Sequence, residues 1–265
     1  MSYTERFNVS VSGAANGPAM VFAHGFGCDQ RMWRHVVPEF EPDHRVVLFD
    51  LPGMGGSVPD SYDVERHASL DGYADDLVDL LRELDLGPAL LVAHSVSAMI
   101  SVLVQQRAPE LVERLVLVGP SARYLDDDGY QGGFARQDVL DLLDLMENNH
   151  FGWQAPLAGM VMGDPDAPHL TAEMEDNFCR TRPEVARRFA AVTFLGDNRA
   201  DLPGVTVPTL VLQCERDSIA PVSAGRYVAE SIPDARLVLL DTTGHCPQLS
   251  VPDATSQAIR SFLTP

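Results

Sequence analysis

The sequence predicts an α/β protein whose central sheet is mostly parallel and covered by helices on both faces. Three observations support this prediction. Short, continuous apolar runs recur along the chain, as is typical of strands that are buried on both faces. Segments with apolar residues at helical spacing alternate with these runs, which is the order of βαβ units. A length of 265 residues, 45% of them hydrophobic, suffices for one unit of this class with a sizeable core.

At the start of the chain the hydropathy pattern is weak, and it becomes clearer from residue 19 onward. Arg6–Ser12 alternates weakly in hydropathy and predicts an edge strand, whereas the apolar run Ala19–Ala23 predicts a strand covered on both faces. A helix is expected around Arg31–Phe40, followed by a buried strand over Arg45–Asp50. The glycine-rich segment Leu51–Ser57 then predicts a turn.

Helix and strand patterns alternate in the next stretch. Apolar residues recur at helical spacing over Tyr73–Leu84, and a Gly-Pro pair follows and ends this helix. The apolar run Ala89–Ala93 predicts a buried strand, and the small and apolar residues of Ala98–Val104 predict a helix. Arg114–Val118 predicts the next strand before another Gly-Pro turn.

Between about Ser121 and Leu202 the strand pattern disappears and helical patterns replace it. One helix is expected over Gln137–Asn148, another carries Leu170, Met174 and Phe178 at i, i+4 and i+8, and Thr181-Arg182-Pro183-Glu184 matches a capping box that opens a third. This stretch predicts a helical insertion in an α/β core.

The strand pattern resumes after the insertion. Strands are expected at Thr209–Gln213 and Leu237–Leu240, and helices at Val222–Ser231 and Ala254–Leu263. The sequence therefore predicts a core made of residues 1–120 and 203–265, interrupted by a helical cap, or lid, of residues 121–202.

The composition argues against several classes of function. The net charge is −19, and all 19 basic residues are arginine. Binding to nucleic acid or to an anionic membrane needs a basic surface, so neither is expected as a partner. The first residues have no signal-peptide pattern and no stretch approaches a membrane span, so a cytoplasmic location is expected. The four cysteines lack metal-ligand spacing, which predicts buried free thiols and no metal site.

The stretch Leu91–Ile100 has the pattern of a nucleophile turn. A buried strand is followed by a tight turn around Ser95 and then by an apolar helix, an arrangement that lifts the serine Oγ clear of the sheet. The usual pattern is G-x-S-x-G, and its two glycine positions are occupied here by the small residues Ala93 and Ser97. Taken alone, a serine before a helix is more often an N-cap than a nucleophile. The nucleophile interpretation therefore depends on finding a base and an acid.

A base and an acid both follow later predicted strands. His245 lies in an irregular loop after one strand, and Asp217 lies in a loop after another. Glu215 competes for the acid role, but Asp217 lies further into the loop, where apolar residues can shield it. Because open α/β sheets collect functional groups at the carboxyl ends of their strands, these side chains are expected to meet. The chain order Ser95, Asp217, His245 is that of the α/β-hydrolase triad.

Two backbone N–H groups are expected to bind the oxyanion that a serine nucleophile generates. One belongs to Phe26, in the loop His24-Gly25-Phe26-Gly27, and the other to Val96, directly after the nucleophile. The Phe26 side chain is expected to form a wall of the pocket. An ordinary tight turn would be equally rich in glycine, so this loop alone does not establish an oxyanion site.

Other residues near these motifs fit a functional site less well. Gly25-Phe26-Gly27 begins like a dinucleotide fingerprint, but Gln30 occupies the third glycine position. Cys246 beside the histidine is a weaker candidate nucleophile, and Ser97 would lie within the helix. His94 is interpreted as a structural or hydrogen-bonding residue and not as a second base.

These motifs resemble the α/β-hydrolase superfamily. More narrowly, they resemble the group that contains the RsbQ-type stress-response regulator hydrolases of bacteria and the strigolactone and karrikin receptors of plants. The matching segments run nearly end to end and include the insertion: His24–Gln30, Val46–Asp50, Leu70–Ala74, His94–Ile100, Ser121–Leu125, Gly132–Phe134 and Gly244–Pro247. A serine at the second glycine position of the G-x-S-x-G pattern, where Ser97 stands here, is a feature that resembles the receptor branch. Ala93, at the first glycine position, departs from the family pattern.

The resemblance implies an α/β-hydrolase fold with a V-shaped cap of four helices inserted after the sixth strand. The cap would cover a hydrophobic pocket above Ser95. The matching pocket positions are Phe26, Phe134, Trp153, Leu157 and Phe194. Relatives with a large aromatic residue at the position of Leu157 would have a narrower cavity than this protein, so its substrate specificity is not inferred from theirs.

The interpretation that combines these observations is a serine hydrolase of the esterase type, without a cofactor, acting on a small, largely apolar ester or lactone. Its alternative is a ligand-sensing receptor whose hydrolysis is slow or incidental and whose cap docks a signalling protein. A third alternative keeps the triad for a different reaction, such as perhydrolysis or carbon–carbon cleavage. Haloalkane dehalogenase and epoxide hydrolase chemistry is disfavoured, because it needs a carboxylate in place of Ser95.

Overall fold

A seven-stranded sheet runs through the molecule in the order β1-β3-β2-β4-β5-β6-β7. The structure is a computed structural model that describes residues 1–149 and 152–264. The strands are β1 (Ser10–Gly13), β2 (Ala19–Ala23), β3 (Arg45–Leu48), β4 (Ala89–His94), β5 (Val112–Val118), β6 (Thr209–Arg216) and β7 (Ala235–Thr243). β1 is antiparallel to β3, and the other neighbouring strands are parallel. The predicted mostly parallel α/β sheet is confirmed.

Helices follow or precede each parallel strand, and a group of them interrupts the sheet between β5 and β6. In the described part of the chain the α-helices are α1 (Tyr3–Arg6), α2 (Leu70–Leu84), α3 (Val96–Arg107), α4 (Arg136–Asn148), α5 (Gln154–Met162), α6 (Pro168–Arg180), α7 (Pro183–Leu195), α8 (Val222–Ser231), α9 (Pro247–Ser250) and α10 (Pro252–Leu263). Short 3-10 turns join several of these elements.

The core forms two apolar layers, one on each face of the sheet. Every residue of β4 is buried. Leu91 and Ala93 point into the layer that contains α2 and α3, whereas Leu90 and Val92 point into the layer that also contains residues of α4–α7. This alternation follows from the two-residue period of a strand. It explains why β4 is a continuous apolar run, and it places the end of β4 beneath α4–α7.

Two predictions at the start of the chain need correction. The helix expected around Arg31–Phe40 is replaced by two 3-10 turns, Gln30–Trp33 and Val37–Glu39. Pro38 lies in the second turn and has no N–H with which to continue an α-helix. The edge strand begins only at Ser10, because Tyr3–Arg6 forms a helical turn capped by Ser2.

The insertion holds α4–α7, the four helices that the resemblance implied. It follows β5 and not a sixth strand as the resemblance implied, because five strands precede it in the described part of the chain. The capping box expected at Thr181 is also wrong. Pro183 begins α7, so Arg182 is the N-cap and provides no side-chain hydrogen bond. The boundaries of the cap at residues 121 and 202 stay a prediction.

Within residues 1–149 and 152–264, none of the helices combines the length and the apolar character needed to span a membrane.

Candidate active site

Ser95 stands at a sharp turn between the end of β4 and the start of α3. Its backbone has φ 58° and ψ −125°, a conformation that is strained for a residue with a Cβ. Two backbone hydrogen bonds hold it there: the Ser95 N–H donates to Val118 O at 2.8 Å, and the Ala98 N–H donates to Ser95 O at 2.9 Å. Strain of this kind persists only where the surroundings over-determine it, which is typical of a functional turn.

The two residues that occupy the glycine positions of the G-x-S-x-G pattern are accommodated in the interior. Ala93 and Ser97 are both fully buried. The Ser97 hydroxyl donates a hydrogen bond of 2.5 Å to His24 O. This bond joins the first turn of α3 to the loop after β2, so Ser97 has a structural partner that a glycine could not supply.

The structure brings Ser95, His245 and Asp217 into one hydrogen-bonded chain. Ser95 Oγ lies 2.8 Å from His245 Nε2, and His245 Nδ1 lies 2.7 Å from Asp217 Oδ2. All three residues are buried. Because the carboxylate accepts from Nδ1–H, the neutral imidazole presents the lone pair of Nε2 to the serine hydroxyl. This is the arrangement in which an imidazole can remove the proton from a serine nucleophile.

Asp217 is held by the loop that follows β6. Its Oδ1 accepts from the N–H groups of Ile219 at 2.8 Å and Ala220 at 3.0 Å. Gln213, a residue that the sequence did not single out, donates from Nε2 to Oδ2 at 3.2 Å and to Ala220 O at 2.6 Å. Glu215, the competing acid, is exposed and lies beside Arg216. The geometry therefore favours Asp217 over Glu215.

The main chain of His245 is fixed on both sides. Its N–H donates to Val161 O in α5 at 2.7 Å, and its carbonyl accepts from His94 Nε2–H at 2.8 Å. Burial, with a smaller contribution from the charge of His245, holds the pKa of His94 well below its usual range. His94 is therefore a neutral hydrogen-bonding residue, as its sequence context suggested. A cap helix and the residue before the nucleophile together position His245.

The loop expected to supply an oxyanion donor is packed so tightly that two of its positions require glycine. A Cβ on Gly25 would lie 2.6 Å from His94 Nδ1, and Gly27 has φ +65° with the Phe178 ring 2.3 Å from any Cβ. The N–H groups of Phe26 and Val96 find no acceptor among the described residues. They are free to donate to a ligand, and their role as oxyanion donors stays a prediction.

Tyr124 is a polar neighbour of the nucleophile that sequence reasoning missed. Its hydroxyl lies 3.2 Å from Ser95 Oγ, and burial raises the pKa of this phenol well above its usual range. Ser95 has one proton, which faces His245 Nε2, so the neutral Tyr124 hydroxyl is the donor to Ser95 Oγ. Tyr124 lies within a segment quoted for the family resemblance, but nothing in its spacing indicates a contact with Ser95.

Two neighbouring cavities lie above Ser95. An inner chamber of about 20 Å³ is lined by Ser95, His245 and Phe26 among others. An outer cavity of about 170 Å³, lined by Phe134, Trp153 and other largely apolar residues, lies between α4, α5 and α7. Leu157 and Phe194 line both cavities and separate them. All five residues expected to form the pocket therefore line one or both cavities, and their contact with a substrate stays a prediction.

The alternative nucleophiles are poorly placed. Cys246 is buried against His94, with Sγ 3.9 Å from Nε2, and burial raises the pKa of its thiol. A thiol with a raised pKa is a weak nucleophile because the thiolate is the reactive form. The Ser97 hydroxyl already donates its hydrogen bond to His24 O. In the described residues no cluster of His, Cys, Asp or Glu side chains could hold a metal ion.

Comparison with known proteins agrees with the fold. The model of the alpha/beta hydrolase family matches residues 20–258. The chain belongs to this family.

Within the family, the chain is similar to plant proteins that are named strigolactone esterases and karrikin insensitive 2 receptors. It is 37% identical over 261 residues to strigolactone esterase D14 of Arabidopsis thaliana, covering 98% of this chain and 97% of that protein. It is 38% identical over 250 residues to karrikin insensitive 2 receptor CA of Petunia hybrida, covering 94% of this chain and 92% of that protein. The solved structure of a hydrolase from Oleispira antarctica superposes with a TM-score of 0.96 at 35% identity, covering 99% and 97% of the two chains. The resemblance to the receptor group is confirmed.

Proposed function

We propose that this protein is a cofactor-independent serine hydrolase that cleaves a small, largely apolar ester or lactone. The observation that carries the proposal is the continuous hydrogen-bonded chain from Ser95 Oγ through His245 to Asp217, at distances of 2.8 and 2.7 Å. The family is one of hydrolases. The relatives named esterases make a carboxylic ester the best-supported bond class.

The chemistry proceeds through an acyl-enzyme. Ser95 Oγ attacks the carbonyl carbon while His245 Nε2 takes its proton, and Asp217 stabilises the resulting imidazolium. The N–H groups of Phe26 and Val96 donate to the oxyanion. His245 then returns the proton to the leaving alkoxide, so the ester C–O bond breaks and the alcohol departs; in a lactone the alcohol stays attached to the acyl group. Water, deprotonated by His245, attacks the acyl-enzyme and releases the acid and free Ser95.

The shape of the cavities supports a substrate with a small reacting end and an apolar remainder. The inner chamber of about 20 Å³ has room for one small group beside Ser95. The outer cavity of about 170 Å³ can hold a larger apolar group, and Asp138 is its only charged lining residue within the described chain. Leu157 and Phe194 must move for one substrate to reach from the outer cavity to Ser95.

The experiment that tests the proposal is hydrolysis of a short p-nitrophenyl ester by the wild type and by Ser95→Ala. We expect the variant to lose at least about 10³-fold in kcat, because the residual rate no longer includes nucleophilic attack. Ser101→Ala is the matched control, since Ser101 is also a buried serine of the same region, on α3, but does not line either cavity. Equal rates in the wild type and Ser95→Ala would overturn the proposal.

A second candidate function is ligand sensing, in which the state of the active site changes the cap and a signalling protein docks there. The relatives named karrikin insensitive 2 receptors support it. So does the hydrogen bond of 2.7 Å from the His245 N–H to Val161 O, which links a catalytic-site residue directly to α5. The small ligand would be the same apolar ester or lactone.

Hydrogen–deuterium exchange tests this link without knowledge of the partner. Phenylmethylsulfonyl fluoride is used to modify the nucleophile, and Ser95→Ala with the same reagent is the control. Altered exchange in α5 of the modified wild type alone supports sensing through the cap. Unchanged exchange throughout α4–α7 contradicts it.

A further inference from the structure

Two residues that line the inner chamber carry a buried polar atom without a hydrogen-bond partner among the described residues: His94, at Nδ1, and Thr193, at Oγ1. Thr193 is the one that belongs to the cap helices, and the proposed mechanism does not use it. Thr193 is on α7, is 5% exposed, and lines the chamber that contains Ser95 and His245. Its Oγ1 is buried and has no hydrogen-bond partner among the described residues. The other cap residues that line the chamber carry no hydroxyl; they are Leu157, Val161, Met174, Phe178 and Phe194.

An unpartnered buried hydroxyl is unfavourable, because folding removes its water and supplies nothing in exchange. Native proteins keep few such groups, and each one calls for an explanation. A hydroxyl that faces a ligand chamber finds its partner when a ligand with a hydrogen-bonding oxygen enters. The same oxygen would be disfavoured in a chamber lined only by apolar side chains.

We propose that Thr193 is a substrate-recognition residue whose hydroxyl binds a second oxygen of the substrate, next to the carbonyl that Ser95 attacks. The preferred substrates are then esters or lactones that carry an ether, hydroxyl or carbonyl oxygen near the reacting carbonyl, with an apolar remainder. This inference rests on the proposed hydrolase function and narrows its substrate class.

The size of the chamber limits where this oxygen can be. A volume of about 20 Å³ accommodates one group of the size of water beside Ser95. A substrate atom that contacts Thr193 therefore belongs to the part of the molecule that lies beside the reacting carbon. The apolar outer cavity receives what lies beyond Leu157 and Phe194.

The test compares wild type and Thr193→Val with two isosteric substrates, p-nitrophenyl methoxyacetate and p-nitrophenyl butyrate. The first carries an ether oxygen where the second carries a methylene group. Valine preserves the shape of threonine and removes the hydroxyl. We expect Thr193→Val to lower kcat/KM for the methoxyacetate about tenfold and for the butyrate no more than about twofold, since a site that loses its polar partner leaves the substrate oxygen buried and unpaired.

A second readout concerns the protein without substrate. Because the hydroxyl has no partner, Thr193→Val is expected to leave the melting temperature unchanged or to raise it. A fall of more than about 3 °C, corresponding to about 1 kcal/mol in a chain of this size, would show that the hydroxyl has a structural partner and would overturn the inference. Ser101→Ala is the control, because Ser101 Oγ is also buried and unpartnered but lies outside the chamber.

The outcomes separate the inference from the function on which it rests. Equal effects of Thr193→Val on both esters, or no effect on either, overturn the recognition role while Ser95→Ala still abolishes activity. Full activity of Ser95→Ala overturns the proposed function itself. A wild type that hydrolyses neither ester overturns both.

Discussion

The hydrogen bond from His94 to the carbonyl of His245 is a test of how the base is positioned. The perturbation is His94→Leu, which replaces the imidazole with an apolar side chain of similar size and so removes the Nε2–H donor. The bond is 2.8 Å long and buried, and the rings of the two histidines are 4.8 Å apart. Loss of the donor leaves a buried carbonyl without a partner, so we expect the free energy of unfolding to fall by about 1–3 kcal/mol.

The effect on catalysis follows from the same geometry. A base displaced by about 1 Å can lower the rate about 10²-fold, so we expect kcat of His94→Leu to fall by about that factor. The KM should change little, since His94 positions His245 and makes no bond to the substrate carbonyl. His94→Gln is the rescue variant, because its amide N–H lies the same number of bonds from the backbone as His94 Nε2.

Steady-state hydrolysis of p-nitrophenyl acetate and urea unfolding measure both effects. We expect His94→Gln to recover kcat to within about tenfold of the wild type, as the remaining difference reflects a less rigid side chain. A His94→Leu enzyme with wild-type kcat would refute the positioning role. Equal losses in His94→Leu and His94→Gln would refute the hydrogen bond as its cause.

Three further predictions follow from contacts in and around the site. Asp217→Asn should lower kcat by about 10³–10⁴-fold with little change in KM, measured on the same ester, because the amide favours the wrong imidazole tautomer; a loss below about tenfold would contradict this. Tyr124→Phe removes the donor to Ser95 Oγ and should lower kcat/KM by about twofold to tenfold without lowering the melting temperature by more than about 3 °C, and an unchanged kcat/KM would show that the bond is unimportant. Burial lowers the pKa of His94 well below its usual value of 6.5, and that of His24 in the same direction, so the unfolded chain binds more protons than the folded chain as the pH falls through this value, and stability is greatest above it. His94, which stays neutral on folding, should remove about 1.4 kcal/mol between about pH 7.5 and 5.5 in urea unfolding, and a pH-independent midpoint would contradict this.

Much of the fold follows from the sequence because its strands are buried on both faces. Ala19–Ala23 is an unbroken apolar run and forms β2 over the same residues. Ser95, Asp217 and His245 could be singled out because each follows such a run, where parallel strands end together. The residue types and the topology thus predicted which side chains would meet before any distance was known.

The errors arise where local signals are absent or compete. α5, Gln154–Met162, is apolar on nearly all faces, so it has no helical periodicity that a sequence pattern could reveal. The Thr181 capping box failed because Pro183 fixes the first turn of α7 one residue away. In both places the surrounding structure decides the element boundaries.

The residues that support the site were not predictable for a different reason. Tyr124 contacts Ser95 because two segments that are distant in sequence meet above the sheet. Gln213 is a polar residue within the buried strand β6, and its contact with Asp217 depends on how the loop after β6 turns back. Whether the Thr193 hydroxyl has a hydrogen-bond partner depends on the packing around it, and no sequence pattern indicates this. A sequence pattern indicates which residues can react, whereas the packing determines which residues hold and select the substrate.

The central claim is that Ser95 is the nucleophile, and intact-mass spectrometry tests it most directly. The wild type is mixed with a slowly hydrolysed p-nitrophenyl ester, quenched in acid within the first turnover, and digested to locate the adduct. One acyl group per chain on Ser95, and none in Ser95→Ala, is the predicted result. An adduct on Cys246, or ester turnover that continues in Ser95→Ala, would contradict the claim.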